Sequence, residues 1–128
     1  MSDSGTVILY HGTDVESALD ILNHGLNVDR LLELQSKRPV QMGAGWYTTE
    51  DIDVAWYFAA LSLETMYQEG TVIEMELFVE HFESLIEQGL AVKSEIHNVL
   101  FQGEQIWFHL NAFEFLNQNA IFRPYTGN

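Results

Sequence analysis

The sequence predicts a single α+β domain that spans residues 1–128, and two observations support this class. The first is composition, because hydrophobic residues make up 47% of the chain and aromatic residues 12%, as is typical of a protein with a buried core. The second is periodicity, because segments with the helical spacing of apolar residues alternate with segments that have the two-residue spacing of strands. The predicted order is strand, helix, strand, helix and then mostly strands.

Two strand–helix units make up the first half of the predicted fold. Thr6–Tyr10 is rich in β-branched and aromatic residues, which indicates a strand. A helix follows, with Thr13 and Glu16 at the spacing of a capping box at its start and Gly25 as its C-terminal cap. The second unit is the short strand Trp46–Thr48 and the helix after it.

Residues 27–41, between these two units, are predicted to be mainly a loop over the functional site. A short helical turn at Leu31–Leu34 would end at Pro39, because the residue before a proline is disfavoured in a helix. The segment also holds three of the five basic residues of the chain, Arg30, Lys37 and Arg38.

The second half begins with a helix and continues mostly as strands. Thr49 and the acidic residues after it favour a helix start, and that helix is predicted to run to Gly70. Thr71–Val79 alternates between apolar and polar residues, which predicts a half-buried strand. The remaining elements are a short helix, two strands joined by a turn at Gly103, a helical turn and a last strand, at Glu80–Gln88, Val99–Phe101, Gln105–Leu110, Phe113–Leu116 and Ala120–Arg123.

The net charge excludes one class of partner. Five Lys and Arg residues against 19 Asp and Glu residues give a formal net charge of −14. A field of this sign repels phosphate backbones, so we expect no broad nucleic-acid binding. The charge either keeps the chain in solution or attracts a basic protein, which would be a target or a neutralising partner.

Other features of the sequence limit the expected cellular location and the expected metal content. No apolar run reaches the roughly 18 residues of a membrane span, and no basic-then-apolar segment indicates a signal peptide. We therefore expect no membrane insertion and a cytoplasmic location by default, with delivery elsewhere as an effector as the alternative. The chain has no cysteine and no pair of histidines at ligand spacing, so we predict no metal site.

Two short motifs carry the functional signal. The first is Leu9–Thr13, with the sequence LYHGT, and the second is Gly43–Thr49, with the sequence GAGWYTT. Together with a polar residue of a late strand, at Glu104 or Gln105, they resemble the His-Tyr-Glu type of ADP-ribosyltransferase. This superfamily of NAD-consuming enzymes includes the poly(ADP-ribose) polymerases. The resemblance extends from about residue 8 to residue 122.

The resemblance implies both a fold and a substrate. The fold would be ADP-ribosyltransferase-like, with split mixed or antiparallel β-sheets and a few flanking helices around an NAD cleft. NAD would be the substrate, and the first motif, His11, Gly12 and Thr13, would bind it. The backbone of Gly12 would pair with the nicotinamide amide, and His11 would form a hydrogen bond with the adenosine ribose.

The second motif contributes aromatic contacts. The resemblance implies that Tyr47 stacks on the nicotinamide ring, because a flat aromatic contact orients the ring at low entropic cost. Tyr57, two residues after the small Ala55, would cover the other face of the ring. Trp46 and Trp56 are predicted to be core residues, because large aromatic side chains at such positions usually pack inside.

Glu104 and Gln105 compete for the third position. The segment that starts at Glu104 resembles the polymerase-like strand start, whereas Gln105–His109 resembles small bacterial members of the superfamily. Neighbours on a strand point to opposite faces, so only one of the two reaches the ribose. We favour Glu104, because a carboxylate stabilises a developing cation better than an amide. His109 shares the strand parity of Gln105 and is predicted to be a satisfied, half-buried histidine.

The implied activity is that of an NAD-dependent mono-ADP-ribosyltransferase. It would move ADP-ribose from NAD to a macromolecular acceptor, expected to be a protein, and release nicotinamide, as a toxin-like effector does. The alternatives are a non-catalytic module of the same fold that binds NAD, ADP-ribose or a protein, and an enzyme of the same fold with another reaction. That reaction would be NAD glycohydrolysis or transfer of a tRNA phosphate, and the acidic charge argues against the RNA substrate.

Overall fold

A computed structural model describes residues 5–35, 45–63, 66–98 and 101–127. These residues form two three-stranded antiparallel sheets and five α-helices, which confirms the α+β class. In chain order the elements are β1 (Thr6–Asp14), α1 (Val15–His24), α2 (Val28–Gln35), β2 (Gly45–Thr48), α3 (Ile52–Ser62), β3 (Gly70–Phe78), α4 (Val79–Glu87), β4 (Ala91–Asn98), β5 (Phe101–His109), a 3₁₀ turn (Leu110–Ala112), α5 (Phe113–Asn119) and β6 (Ile121–Pro124).

Among the described residues, a single isolated backbone bridge joins the two sheets. The first sheet has the strand order β1-β3-β6 and the second has the order β2-β5-β4. Where β1 passes the end of β2, Tyr10 and Thr49 exchange two backbone hydrogen bonds. Their N···O distances are 2.7 Å from Tyr10 N and 2.9 Å from Thr49 N. We call this pair of hydrogen bonds the sheet junction.

β1 is longer than predicted, because it continues beyond Tyr10 to Asp14. Each residue of the strand, including Leu9–Thr13, has a pairing partner in β3. The first motif therefore lies inside a strand rather than at its end. The strand is extended by its pairing with β3. Because β3 is far away in the sequence, this pairing leaves no local signal in the motif.

The predicted capping box at the start of α1 is wrong. The N-cap is Asp14, whose Oδ2 accepts a hydrogen bond from Ser17 N at 3.0 Å, because Thr13 is still part of the strand. The predicted C-terminal cap is confirmed. Gly25 has φ 79°, and its N–H donates to the carbonyl oxygen of Ile21.

The prediction of a loop over residues 27–41 is wrong in its first half, because α2 lies there. Asn27 Oδ1 accepts a hydrogen bond from Arg30 N at 2.9 Å, which caps the helix. Val28 and Leu31 then pack against the core, so tertiary contact stabilises a helix that is only eight residues long. Other members of the predicted loop and its following turn lie outside the described residues, namely Lys37, Arg38 and Gly43.

The helix after β2 is shorter than predicted. α3 begins after Asp51, whose Oδ1 accepts a hydrogen bond from Asp53 N at 2.8 Å, so Asp51 is the cap rather than Thr49. Thr49 assists through its Oγ1, which accepts from Asp51 N at 3.1 Å. The helix ends at Ser62, whose hydroxyl donates to the carbonyl oxygen of Ala59, well before Gly70.

The predicted turn at Gly103 is also wrong. β5 runs straight through Gly103, which pairs with Ile96 of β4. β4 itself was missed, because Lys, Ser, Glu and His interrupt its apolar pattern, and its pairing along the whole length of β5 compensates for this weak local signal. The predictions for β2, β3, α4 and β6 are confirmed, with ends displaced by a single residue.

The two tryptophans predicted to be in the core have different environments. Trp46 is 1% exposed and packs near Phe108 and Phe122, so that prediction is confirmed. Trp56 is 44% exposed, so its prediction is wrong. α3 presents the small residues Ala55 and Ala59 to the sheet, which leaves the larger Trp56 on its outer side.

Gly12 is where α3 lies against β1. A Cβ atom at Gly12 would overlap the carbonyl oxygen of Ala55 and would lie 2.7 Å from Ala59 N. Both atoms belong to helix backbone, so the whole helix would have to shift to make room. Glycine at this position is therefore required for the packing of α3 on β1.

We predict that Gly12→Ala lowers the free energy of unfolding by about 3 kcal/mol, the upper part of the usual range for overpacking. Gly89→Ala is the matched control, because a Cβ there meets no atom within 4 Å and only its φ of 76° is unfavourable. That control should cost about 1 kcal/mol. Denaturant titration compares the two variants, and equal losses would contradict the packing role of Gly12.

Candidate functional site

The strands β1 and β2 separate beyond the sheet junction, and the backbone of Gly12 faces the gap between them. Backbone groups alternate in direction along a strand, so Gly12 points the same way as Tyr10, which bonds Thr49. On the other side, the carbonyl of Val72, the β3 partner of Gly12, accepts a hydrogen bond from Tyr125 N at 3.0 Å and thus points away from β1. Among the described residues no backbone hydrogen bond joins Gly12 to β2.

His11 lies across this gap from Tyr47. Its Nδ1 is 2.7 Å from the carbonyl oxygen of Tyr47, and its ring lies against Trp46 with centroids 4.6 Å apart. Burial lowers the pKa of the imidazole to about 4, although the hydrogen bond to Tyr47 and the charge of Asp14 act in the opposite direction. His11 is therefore neutral at physiological pH. Because a carbonyl only accepts, Nδ1 carries the proton.

Tyr47 and Gln105 share one face of the second sheet. Tyr47 pairs with Trp107 across the ladder, and Gln105 is two residues from Trp107 on the same strand, so their side chains project from the same side. Gln105 is only 4% exposed, and its Nε2 donates to Ser94 Oγ at 3.2 Å, which orients the amide.

Glu104 projects from the opposite face. It is exposed and lines an open cleft of about 590 Å³ at the start of α3, where two further carboxylates also lie, those of Glu50 and Asp51. Its ladder partner Glu95 carries the same charge. Neither His11 nor Tyr47 lines this cleft. Strand parity thus favours Gln105 over Glu104 as the third-motif residue that accompanies Tyr47.

Thr13 and His11 both line a small cavity, which also has Trp46 in its lining. The cavity has a volume of about 50 Å³ and lies between β1, α1 and α2. Its rim carries an ion pair in which Arg30 Nε is 3.2 Å from Asp20 Oδ2. The lining includes His11, Thr13, Ser17, Asp20, Arg30 and Trp46.

Tyr57 lies on the side of α3 that faces away from Gly12. It is two residues from both Ala55 and Ala59, the residues of α3 that contact Gly12, so it lies on the opposite side of the helix. His109 has the parity of Gln105, as expected, and is satisfied structurally. Its Nδ1 accepts a hydrogen bond from Asn111 N at 3.0 Å and caps the 3₁₀ turn.

Sequence reasoning missed the second role of Trp46. Its burial was expected, whereas its ring contact with His11 and its place in the cavity lining were not. A signal was present, since residues 46 and 47 alternate on one strand, and a Tyr47 that faces one side requires a Trp46 that faces the other.

Comparison with known protein families, with curated proteins and with solved structures finds no match. Within the described ranges, no group of three or more His, Asp and Glu residues is arranged to hold a metal ion. None of the helices in the same ranges is long and apolar enough to cross a membrane.

We predict that the free energy of unfolding falls as pH decreases from 6.5 to 4.5. In the unfolded chain His11 takes up a proton near pH 6.5, whereas in the folded chain it does so only near pH 4, so acid favours the unfolded state. The expected loss over this window is about 2–3 kcal/mol. Asp14 and Glu76, whose pKa values are lowered, lose their contributions mainly below pH 4.5.

The control for this prediction is His11→Asn. An asparagine amide can donate to the Tyr47 carbonyl but does not titrate. Denaturant titrations at several pH values should give a much flatter profile for the variant. The same slope in both proteins would show that His11 is not the group responsible.

Proposed function

We propose that this protein is an NAD-dependent mono-ADP-ribosyltransferase with an ADP-ribosyltransferase-like fold. The observation that carries the proposal is the gap beyond the sheet junction, where the backbone of Gly12 faces the strand that holds Tyr47. A backbone N–H and C=O side by side match the donor and acceptor of a carboxamide, which is the polar group of nicotinamide. The resemblance of the two sequence motifs to this superfamily supports the same assignment.

The supporting chemistry begins with the nicotinamide ring. Gly12 would hold the amide, and Tyr47 would contact the ring and limit its rotation. Cleavage of the bond between nicotinamide and ribose creates positive charge on the ribose carbon, so a group that orients and polarises the ribose hydroxyl lowers the barrier. Gln105 is the third-motif residue that shares a face with Tyr47, and its hydrogen bond to Ser94 holds the amide in place.

The acceptor is proposed to be a basic protein. With a net charge of −14, the chain attracts cationic surfaces and repels nucleic acids. The cleft at Glu50, Asp51 and Glu104 adds local negative charge on the opposite face of the same sheet. A neutralising protein partner would be recognised by the same charge.

One observation favours a second candidate, a module that binds NAD or ADP-ribose without turnover. The side chain that shares a face with Tyr47 is the amide of Gln105, and a neutral amide stabilises a developing cation less than a carboxylate does. Such a module would bind NAD through Gly12 and Tyr47 and release it unchanged.

We predict that Tyr47→Ala weakens NAD binding by about 1–3 kcal/mol, the scale of a lost aromatic contact and its buried area. Tyr57→Ala is the matched control, because Tyr57 lies on the far side of α3 from Gly12, and its affinity should stay close to that of the unchanged protein. Isothermal titration calorimetry measures both. Unchanged affinity in Tyr47→Ala would remove the stacking role.

We predict that Gln105→Ala keeps NAD binding and lowers turnover by about two orders of magnitude, as expected for a group that acts in the transition state. Glu104→Gln should be nearly silent, because Glu104 faces the acidic cleft. A steady-state assay of nicotinamide release measures both variants. A silent Gln105→Ala together with a damaging Glu104→Gln would restore the polymerase-like alignment.

Incubation of the purified protein with labelled NAD and a cell lysate tests the activity itself. Label on a protein supports the transferase, and free ADP-ribose would instead indicate a glycohydrolase. NAD that binds and is recovered intact would favour the non-catalytic module. Absence of NAD binding would contradict both candidates.

A further inference from the structure

The hydrogen bond between His11 and Tyr47 determines what the other ring nitrogen can do. Nδ1–H donates to the Tyr47 carbonyl, so Nε2 of the neutral ring is unprotonated and can only accept. Nε2 is on the side of the ring away from this bond, and among the described residues it has no hydrogen-bond partner. His11 lines the small cavity between β1, α1 and α2, so a residue of the lining carries an acceptor.

Trp46 lines the same cavity and carries a hydrogen-bond donor instead of an acceptor. Its side chain is 1% exposed, and its Nε1–H has no hydrogen-bond partner within the described part of the chain. An indole N–H can only donate, and an unpaired buried donor costs about 1–3 kcal/mol. The ring also lies against His11, with centroids 4.6 Å apart. A buried donor and a part-buried acceptor therefore belong to two rings that are in contact and that both line one cavity.

We propose that Trp46 is a further ligand-binding residue, whose Nε1–H donates to the same ligand hydroxyl from which His11 Nε2 accepts. A hydroxyl group is both a donor and an acceptor, so it satisfies both side chains at once. A carboxylate or a phosphate would satisfy Trp46 alone, because it has no proton to give to Nε2. A cation would satisfy neither the Trp46 donor nor the apolar walls.

If the proposed function is right, the hydroxyl belongs to a ribose. The identification of the ribose rests on the proposed function, whereas the binding of a hydroxyl by Trp46 and His11 does not. Ribose hydroxyls are the groups of NAD that have the required chemistry. The cavity volume of about 50 Å³ accommodates a few water-sized groups, which suits a hydroxyl-bearing edge and not a whole dinucleotide. Ser17 and Thr13 also line the cavity.

Adenosine and dideoxyadenosine, which lacks the two vicinal ribose hydroxyls, test the proposal as probes. The chain has three tryptophans, and nitrogen-15 NMR gives one indole signal for each. Trp46→Phe identifies the signal of Trp46 by its disappearance. Adenosine should shift the Trp46 signal, whereas dideoxyadenosine should leave it unchanged at the same occupancy. No response of Trp46 to adenosine would overturn the proposal and would assign its Nε1–H to a buried water only.

Matched substitutions separate binding from packing. Trp46→Phe should weaken adenosine binding by roughly 3- to 10-fold, the value of one neutral hydrogen bond, and should leave dideoxyadenosine binding unchanged. Trp107→Phe is the control, because Trp107 is also buried with an unpartnered Nε1 but does not line the cavity. Equal losses for the two ligands, or for the two variants, would overturn the proposal.

The labelled-NAD assay keeps the two proposals distinguishable. Turnover of NAD without any response of Trp46 would overturn the role of Trp46 and leave the proposed function in place. A hydroxyl-dependent response to adenosine without NAD binding would do the reverse.

Discussion

The pair of backbone hydrogen bonds between Tyr10 and Thr49 is the constraint on which the candidate site depends. It is the backbone bridge between the two sheets in the described part of the chain, and beyond it β1 and β2 form no further backbone pairs. The contact of α3 with Gly12 prevents any larger side chain there and holds the helix against β1. As a result, one stretch of β1 keeps its backbone hydrogen-bonding groups turned toward a gap rather than toward another strand.

The sheet junction also divides the site into two sides. His11 and Trp46 face the cavity beside α1 and α2, whereas Tyr47 and Gln105 face the other way. The hydrogen bond from His11 to the Tyr47 carbonyl connects the two sides and sets the tautomer of the histidine.

The sequence by itself determined the α+β class, most element positions and the two motifs that meet at the junction. His11, Gly12 and Tyr47 were predicted from the resemblance of the two motifs to a known superfamily, and their roles stay a prediction. Parity along β5 was also readable, so the sequence predicted that Glu104 and Gln105 face opposite sides. It could not predict which side holds Tyr47, because that depends on how β2 pairs with β5.

Tertiary structure alone decided the rest, since long-range pairing and packing leave little trace in a local pattern. The register of β2 on β5 aligned Tyr47 with Trp107 and thereby put Gln105, and not Glu104, on the same face. Packing against the core made α2 a helix where composition indicated a loop, and pairing with β5 made β4 a strand despite its polar residues. Folding buries Trp46 beside His11 and leaves its Nε1–H without a partner. The sequence could not show this, because a donor lacks a partner only where folding keeps water away from it.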